Sequence, residues 1–156
     1  MGYVFLSHGK GVDLETIYEL ESQPLRAKSN VVKREILVEP QLFLYLTDLN
    51  MAEAFIRPRY PLLLGRSIEL AMVHIRPQVV ELEERHGLRV GGSLFPFPME
   101  GIYGPIQALP THFSDTVPRR ALGTRPFCIV EPFIRLDRQA LLYDGDHDWG
   151  VFLHGG

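Results

Sequence analysis

Apolar and polar positions alternate over short distances along most of this chain, which is the spacing of strands more than of helices. Residues 3–6 (Tyr-Val-Phe-Leu) open with strand character, and Gly9-Lys10-Gly11 reads as a turn. Residues 13–21 suit either a strand or a short helix. Residues 24–30 form a polar, basic connector, and residues 31–38 (Val-Val-Lys-Arg-Glu-Ile-Leu-Val) give the clearest strand signal. Residues 42–46 are apolar throughout, as in a strand buried on both faces. Asn50-Met51-Ala52-Glu53 has the form of a capping box and predicts a short helix. That helix must end near Arg57, because the residue before Pro58 is driven out of helical geometry. Residues 70–75 fit a strand or, with Ser67 as a cap, the sequel to a helical turn. Residues 79–82 are apolar except for Glu81, and 83–87 are a polar turn.

From Leu88 the character changes. Glycine and proline crowd residues 91–110, with Phe95, Phe97, Tyr103 and then Phe113 among them. Residues 127–134 read as a strand. Residues 141–143 and 149–154 read as a hairpin around Asp144-Gly145-Asp146-His147-Asp148. The change predicts two domains, 1–87 and 88–156, and 156 residues are enough for a real core. The composition, 46% hydrophobic and 22% charged, is that of a globular protein. Signal-peptide and bilayer-length apolar runs are missing, which predicts a chain with no membrane association. Cys128 is the sole cysteine, so no intrachain disulfide forms, and a reducing, cytoplasmic setting is expected.

Two kinds of chemistry are open. Asp144, Asp146, His147 and Asp148 resemble the start of a calcium loop, though the downstream glutamate is missing. They make a small metal-dependent hydrolase one reading, but Asp and Gly are also what a tight hairpin turn uses. A Gly-x-Ser-x-Gly nucleophile and a His-x-x-x-His pair are both lacking. His112 with Tyr103 offers a bare acid–base pair for RNA cleavage. The other chemistry is nucleic-acid binding. The net charge is -3, yet residues 26–76 carry eight basic against five acidic residues. Such a local surplus suits a strand-binding patch. Tyr45, Tyr60 and Tyr103 offer rings for base stacking. Within Arg57-Pro58-Arg59-Tyr60-Pro61-Leu62-Leu63-Leu64-Gly65-Arg66-Ser67, Gly65 permits close backbone approach and Arg66 presents a phosphate-matching fork. Pro118-Arg119-Arg120 is a second basic spot. The bland reading of all these arginines is a solvated face on a protein-interaction module.

Three segments, in order, resemble the fifth family of CRISPR-associated proteins, RAMP subunits of type I Cascade complexes. They are residues 31–38, then Arg59-Tyr60-Pro61-Leu62-Leu63-Leu64-Gly65-Arg66-Ser67-Ile68-Glu69-Leu70-Ala71, then Gly150-Val151-Phe152-Leu153-His154. Residues 13–18 and 109–120 are similar to that family as well. The resemblance implies an α+β fold: an incomplete ferredoxin-like (RAMP/RRM-like) antiparallel sheet with one or two short helices and a β-rich, loop-rich C-terminal layer. It implies a non-catalytic subunit, without metal or cofactor, that holds the 5′ handle of a guide RNA (crRNA) and contacts the Cascade backbone and large subunits. Gly65 and Arg66 would then cradle phosphates, with Ser67 bonding nearby. Lys33 and Arg34 would track the backbone, and Arg57, Arg59 and Tyr60 would position or stack a nucleotide. Arg119 and Arg120 join this RNA-binding set. The family's Tyr-Lys-His cleavage set has no counterpart, so no nuclease activity is expected. The family's first strand and helix have none either, which predicts an exposed sheet edge that a second chain fills.

Overall fold

Runs rich in β-branched and aromatic residues pair with one another through most of the structure. The computed structural model describes residues 1–22, 25–64, 69–76 and 79–154. In chain order the elements are β1 (Gly2–Leu6), β2 (Gly9–Ser22), β3 (Leu25–Val38), β4 (Gln41–Tyr45), α1 (Leu49–Ile56), β5 (Glu83–Arg85), β6 (Leu88–Val90), β7 (Ser93–Pro96), β8 (Ile106–Phe113), β9 (Ala121–Val130), β10 (Ile134–Leu136), β11 (Leu141–Asp144) and β12 (Trp149–Val151). Strands dominate, with one helix among the described residues. They form small sheets: β1 with β4, β2 with β3, β6 with β10, β11 between β5 and β12, and β9 between β7 and β8. The chain divides into two compact units, one of Phe5–Leu42 and one of Met1–Val4 with Phe43–Gly156. Among the described residues no helix is long and apolar enough to cross a membrane.

The smaller unit is a ribbon. β2 and β3 pair antiparallel without a break from Gly9↔Val38 to Ser22↔Leu25. Two expectations fail here. Gly9-Lys10-Gly11 is strand and not turn, and most of the supposed connector at 24–30 belongs to β3. Cross-strand pairing overrides the local turn signal. Gly11 sits under Ile36, whose Cγ1 would lie 3.1 Å from any Cβ added there. Arg34 Nε lies 2.8 Å from Glu15 Oε2, an ion pair that ties the two strands further. Val12, Leu14, Tyr18, Val31 and Leu37 remain exposed, because a two-stranded ribbon has no second layer to cover them.

The core belongs to the larger unit. Leu88 and Val90 of β6, Phe95 of β7, Cys128 and Val130 of β9, Leu136 of β10 and Leu141 of β11 pack together with Ile102. Each strand supplies alternate residues, as the period of two requires. Arg89, between Leu88 and Val90, points outward and lies over the Phe133 ring, 5.2 Å from its centroid. β12 packs closely against β6 at Gly150, where Val90 Cγ1 would be 3.0 Å from an added Cβ. Here too the structure corrects the pattern. Glu83–Arg85 is a strand, β5, and only His86 and Gly87 turn. β4 is not buried on both faces: Phe43 and Tyr45 are half-buried, while Leu42 and Leu44 stay open to solvent. Residues 70–75 form no strand; Leu70 makes one isolated bridge to Leu63. The 141–151 hairpin forms as expected.

β8 and the first half of β9 run on beyond β7 as a two-stranded finger. β7 covers β9 only from Phe127 to Val130, so residues 121–126 have β8 alone as a strand neighbour.

Candidate nucleic-acid interface

The arginine-tyrosine segment is delivered by the end of α1. The helix begins two residues earlier than the capping box predicted: Asp48 is the cap, its Oδ1 accepting from the Asn50 N–H at 2.9 Å. Asn50 therefore sits inside the first turn. The end falls as expected, with the Arg57 N–H donating to the Glu53 carbonyl at 3.0 Å. Released from the helix, Arg57, Arg59 and Tyr60 are all exposed, Tyr60 by 71%. The Arg59 guanidinium carbon lies 5.8 Å from the Tyr60 ring centroid, within cation–π range. Neither Arg57 nor Arg59 has an ion-pair partner among the described residues.

Gly65, Arg66 and Ser67 lie outside the described residues. Their flanks are described and run antiparallel. The Leu64 N–H donates to Glu69 O at 3.1 Å, and the Ala71 N–H to Leu62 O at 2.8 Å. An open apolar groove of about 380 Å³ adjoins them, lined by Phe55, Ile56, Pro58, Pro61, Leu62, Leu70, Ala71 and Val73. An exposed ring, two guanidinium groups without acidic partners among the described residues and an apolar trough can serve the two halves of a nucleotide: cations for phosphate, flat and apolar surface for the base.

The remaining sequence-predicted residues stand on other elements. Lys33 is exposed on β3 opposite Leu14, and the neighbouring Arg34 is held by Glu15. Arg119 and Arg120 are exposed at the tip of the β8–β9 finger. Tyr103 is 82% exposed, but Tyr45 is no stacking platform. Its hydroxyl donates to Asp144 Oδ2 at 2.6 Å and accepts from Trp149 Nε1 at 2.8 Å.

Tyr45 belongs instead to the Asp144 turn. Asp144 is 2% exposed and accepts from the Tyr45 hydroxyl, from His147 Nδ1 at 2.8 Å and from the Asp146 N–H at 2.9 Å. A carboxylate only accepts, so Nδ1 of His147 carries its hydrogen toward Asp144. The His147 ring stacks on Trp149 with centroids 4.6 Å apart, and Phe43 meets both rings edge-on. Arg76 bonds Asp146, and Tyr143 donates to Asp148 at 3.1 Å. Burial pushes the Asp144 carboxyl up, but the three donated hydrogen bonds outweigh it and hold the acid below its usual range. Tyr45 is pushed up, by burial first and then by its bond to Asp144. These bonds tie Asp144, Asp146, His147 and Asp148 into the hairpin. Among the described residues no three His, Cys, Asp or Glu side chains are arranged to hold a metal ion. Sequence reasoning found the turn but missed the network, since nothing near residue 144 announces a tyrosine 99 positions upstream.

Compared with known proteins, the chain matches no family model, no curated protein and no solved structure.

Proposed function

We propose that this chain is a non-catalytic RNA-binding subunit of a type I CRISPR Cascade complex that holds the 5′ handle of the guide RNA. One observation carries the reading: Arg57 and Arg59, exposed and without an ion-pair partner among the described residues, stand beside Tyr60 and lead directly into the Gly65-Arg66-Ser67 segment. The sequence resemblance gives that pairing its particular ligand. On the same reading, β1, β4 and α1 belong to a ferredoxin-like domain. The Cascade backbone and large subunits are its protein partners.

Fluorescence anisotropy with a labelled single-stranded RNA tests this. The wild-type chain is expected to bind with a steep salt dependence. Arg57→Ala with Arg59→Ala should weaken binding and flatten the log–log salt slope by about 1.4, at roughly 0.7 for each phosphate no longer neutralised. Arg66→Ala should flatten it by about 0.7. Tyr60→Ala should cost about 1–3 kcal/mol if one base stacks there. Absence of RNA binding at physiological salt would overturn the reading, and cleavage of repeat RNA by the purified protein would overturn its non-catalytic part.

A further inference from the structure

We propose that the β8–β9 finger is a second nucleic-acid element, one that enters the major groove of duplex DNA. It is independent of the single-strand site after α1. Shape is the first argument. Residues 108–126 form a ribbon two strands wide, with Leu109 opposite Arg125, Pro110 opposite Thr124 and His112 opposite Gly123. A two-stranded ribbon is what the major groove of B-form DNA admits, whereas the corresponding groove of A-form RNA is too narrow. The shaft is slender: Ala108, Thr111, Ala121, Gly123 and Thr124 are small, and a Cβ at Gly123 would meet nothing within 4 Å.

Charge is the second. Arg119, Arg120 and Arg125 are exposed and have no ion-pair partner among the described residues. Asp115 is the one acid in residues 105–126, so the finger is locally +2 in a chain of -3. That complements phosphate and not a basic partner.

The tip is also built in advance. The Ser114 N–H donates to Arg120 O at 2.9 Å, the Arg120 N–H donates to Ser114 Oγ at 3.0 Å, and Ser114 Oγ bonds Thr116 Oγ1 at 2.8 Å. Arg119 and Arg120 are thus carried on a closed loop that pays little ordering entropy on binding. Val117, 97% exposed at the same tip, is the apolar contact a thymine methyl group takes. Two other occupants fit less well. Pro110 and Pro126 remove ladder donors from the two strands, which works against addition of a strand from a protein partner. A single strand asks for a row of stacking rings, and the finger offers only Phe113.

The test uses the whole chain with two labelled probes, a short mixed-sequence DNA duplex and a single-stranded RNA, titrated at several salt concentrations. Arg119→Ala/Arg120→Ala/Arg125→Ala should weaken duplex binding at least about tenfold and flatten its salt slope by about 2.7, at roughly 0.9 per neutralised phosphate. It should weaken RNA binding far less than duplex binding. Arg57→Ala/Arg59→Ala should do the reverse. Matching circular dichroism and melting curves establish that both variants are folded. The proposal is overturned if the wild-type chain fails to bind the duplex, if the triple variant binds it as tightly as the wild type, or if each variant weakens both probes alike. It is equally overturned if the triple variant's loss shows only on vesicles of anionic lipid. Failure of RNA binding with duplex binding intact would refute the handle reading and leave this one standing.

Discussion

Phe95→Ala is expected to lower the unfolding free energy by about 3–5 kcal/mol, the range for deleting a fully buried aromatic side chain. Phe95 is 0% exposed and is the largest fully buried side chain described. It stands opposite Cys128 in the β7–β9 register and joins Val90, Val130 and Leu136 in the same cluster. Its ring also lies 5.8 Å from that of Phe152, a tilted contact that adds about 0.5–1.5 kcal/mol beyond area burial. Since domains hold only about 5–15 kcal/mol in total, the variant should be near its folding limit. Urea denaturation followed by circular dichroism measures it, and Phe95→Leu should recover more than half of the loss. A loss below about 1 kcal/mol would mean that the surrounding strands close over the space, contrary to a packed core.

The second large effect belongs to Asp144. Asp144→Ala removes the acceptor of three hydrogen bonds at once, and should cost about 3 kcal/mol, because bonds to a charged acceptor contribute about 1.5–3 kcal/mol and their donors would be left unpaired. Tyr45→Phe should cost about 1 kcal/mol, since it removes one donor and strands the Trp149 N–H. In a double-mutant cycle the two losses should add to more than the double variant's, because Tyr45 and Asp144 share one bond. The pH dependence follows from the same group. Asp144 has a lowered folded pKa, so its contribution is complete above the unfolded value of 3.8 and is lost as pH falls through the folded value. His154 acts at milder acidity. Burial first, and then the N-terminal amine, lower its pKa below 6.5. The unfolded chain therefore binds that proton first, and stability declines as pH falls below 6.5. A urea midpoint measured against pH should show two descending steps, and Asp144→Asn should abolish only the more acidic one.

Local chemistry was legible where a short stretch decides its own shape. The hairpin at 141–151 is written in Asp and Gly between two apolar runs, and the stop of α1 is written in Pro58. The rest depends on partners distant in sequence. Gly11 reads as a turn but serves as room for Ile36. The glycines near residue 91 read as loop, yet Gly91 marks where another backbone comes close: Phe133 Cα would be 2.8 Å from its Cβ. Thus the segment that looked irregular carries Phe95 and runs beside Val90 in the centre of the core. Asp48 outcompeted Asn50 as the cap because the chain enters the helix two residues sooner. Of the candidate site, residue types were readable, but not company. The sequence pools Lys33, Arg34, Arg57, Arg59, Arg119 and Arg120 as one basic set, and the fold distributes them over a ribbon, a helix exit and a finger.

The burial of the lone thiol gives the molecule its own clock. Cys128 is 1% exposed, packed with Phe95 and Ile102. A thiol-specific dye can reach it only while the packing over that face of the sheet opens, so labelling of the unaltered protein reports how often this cover lifts, with no engineered probe required.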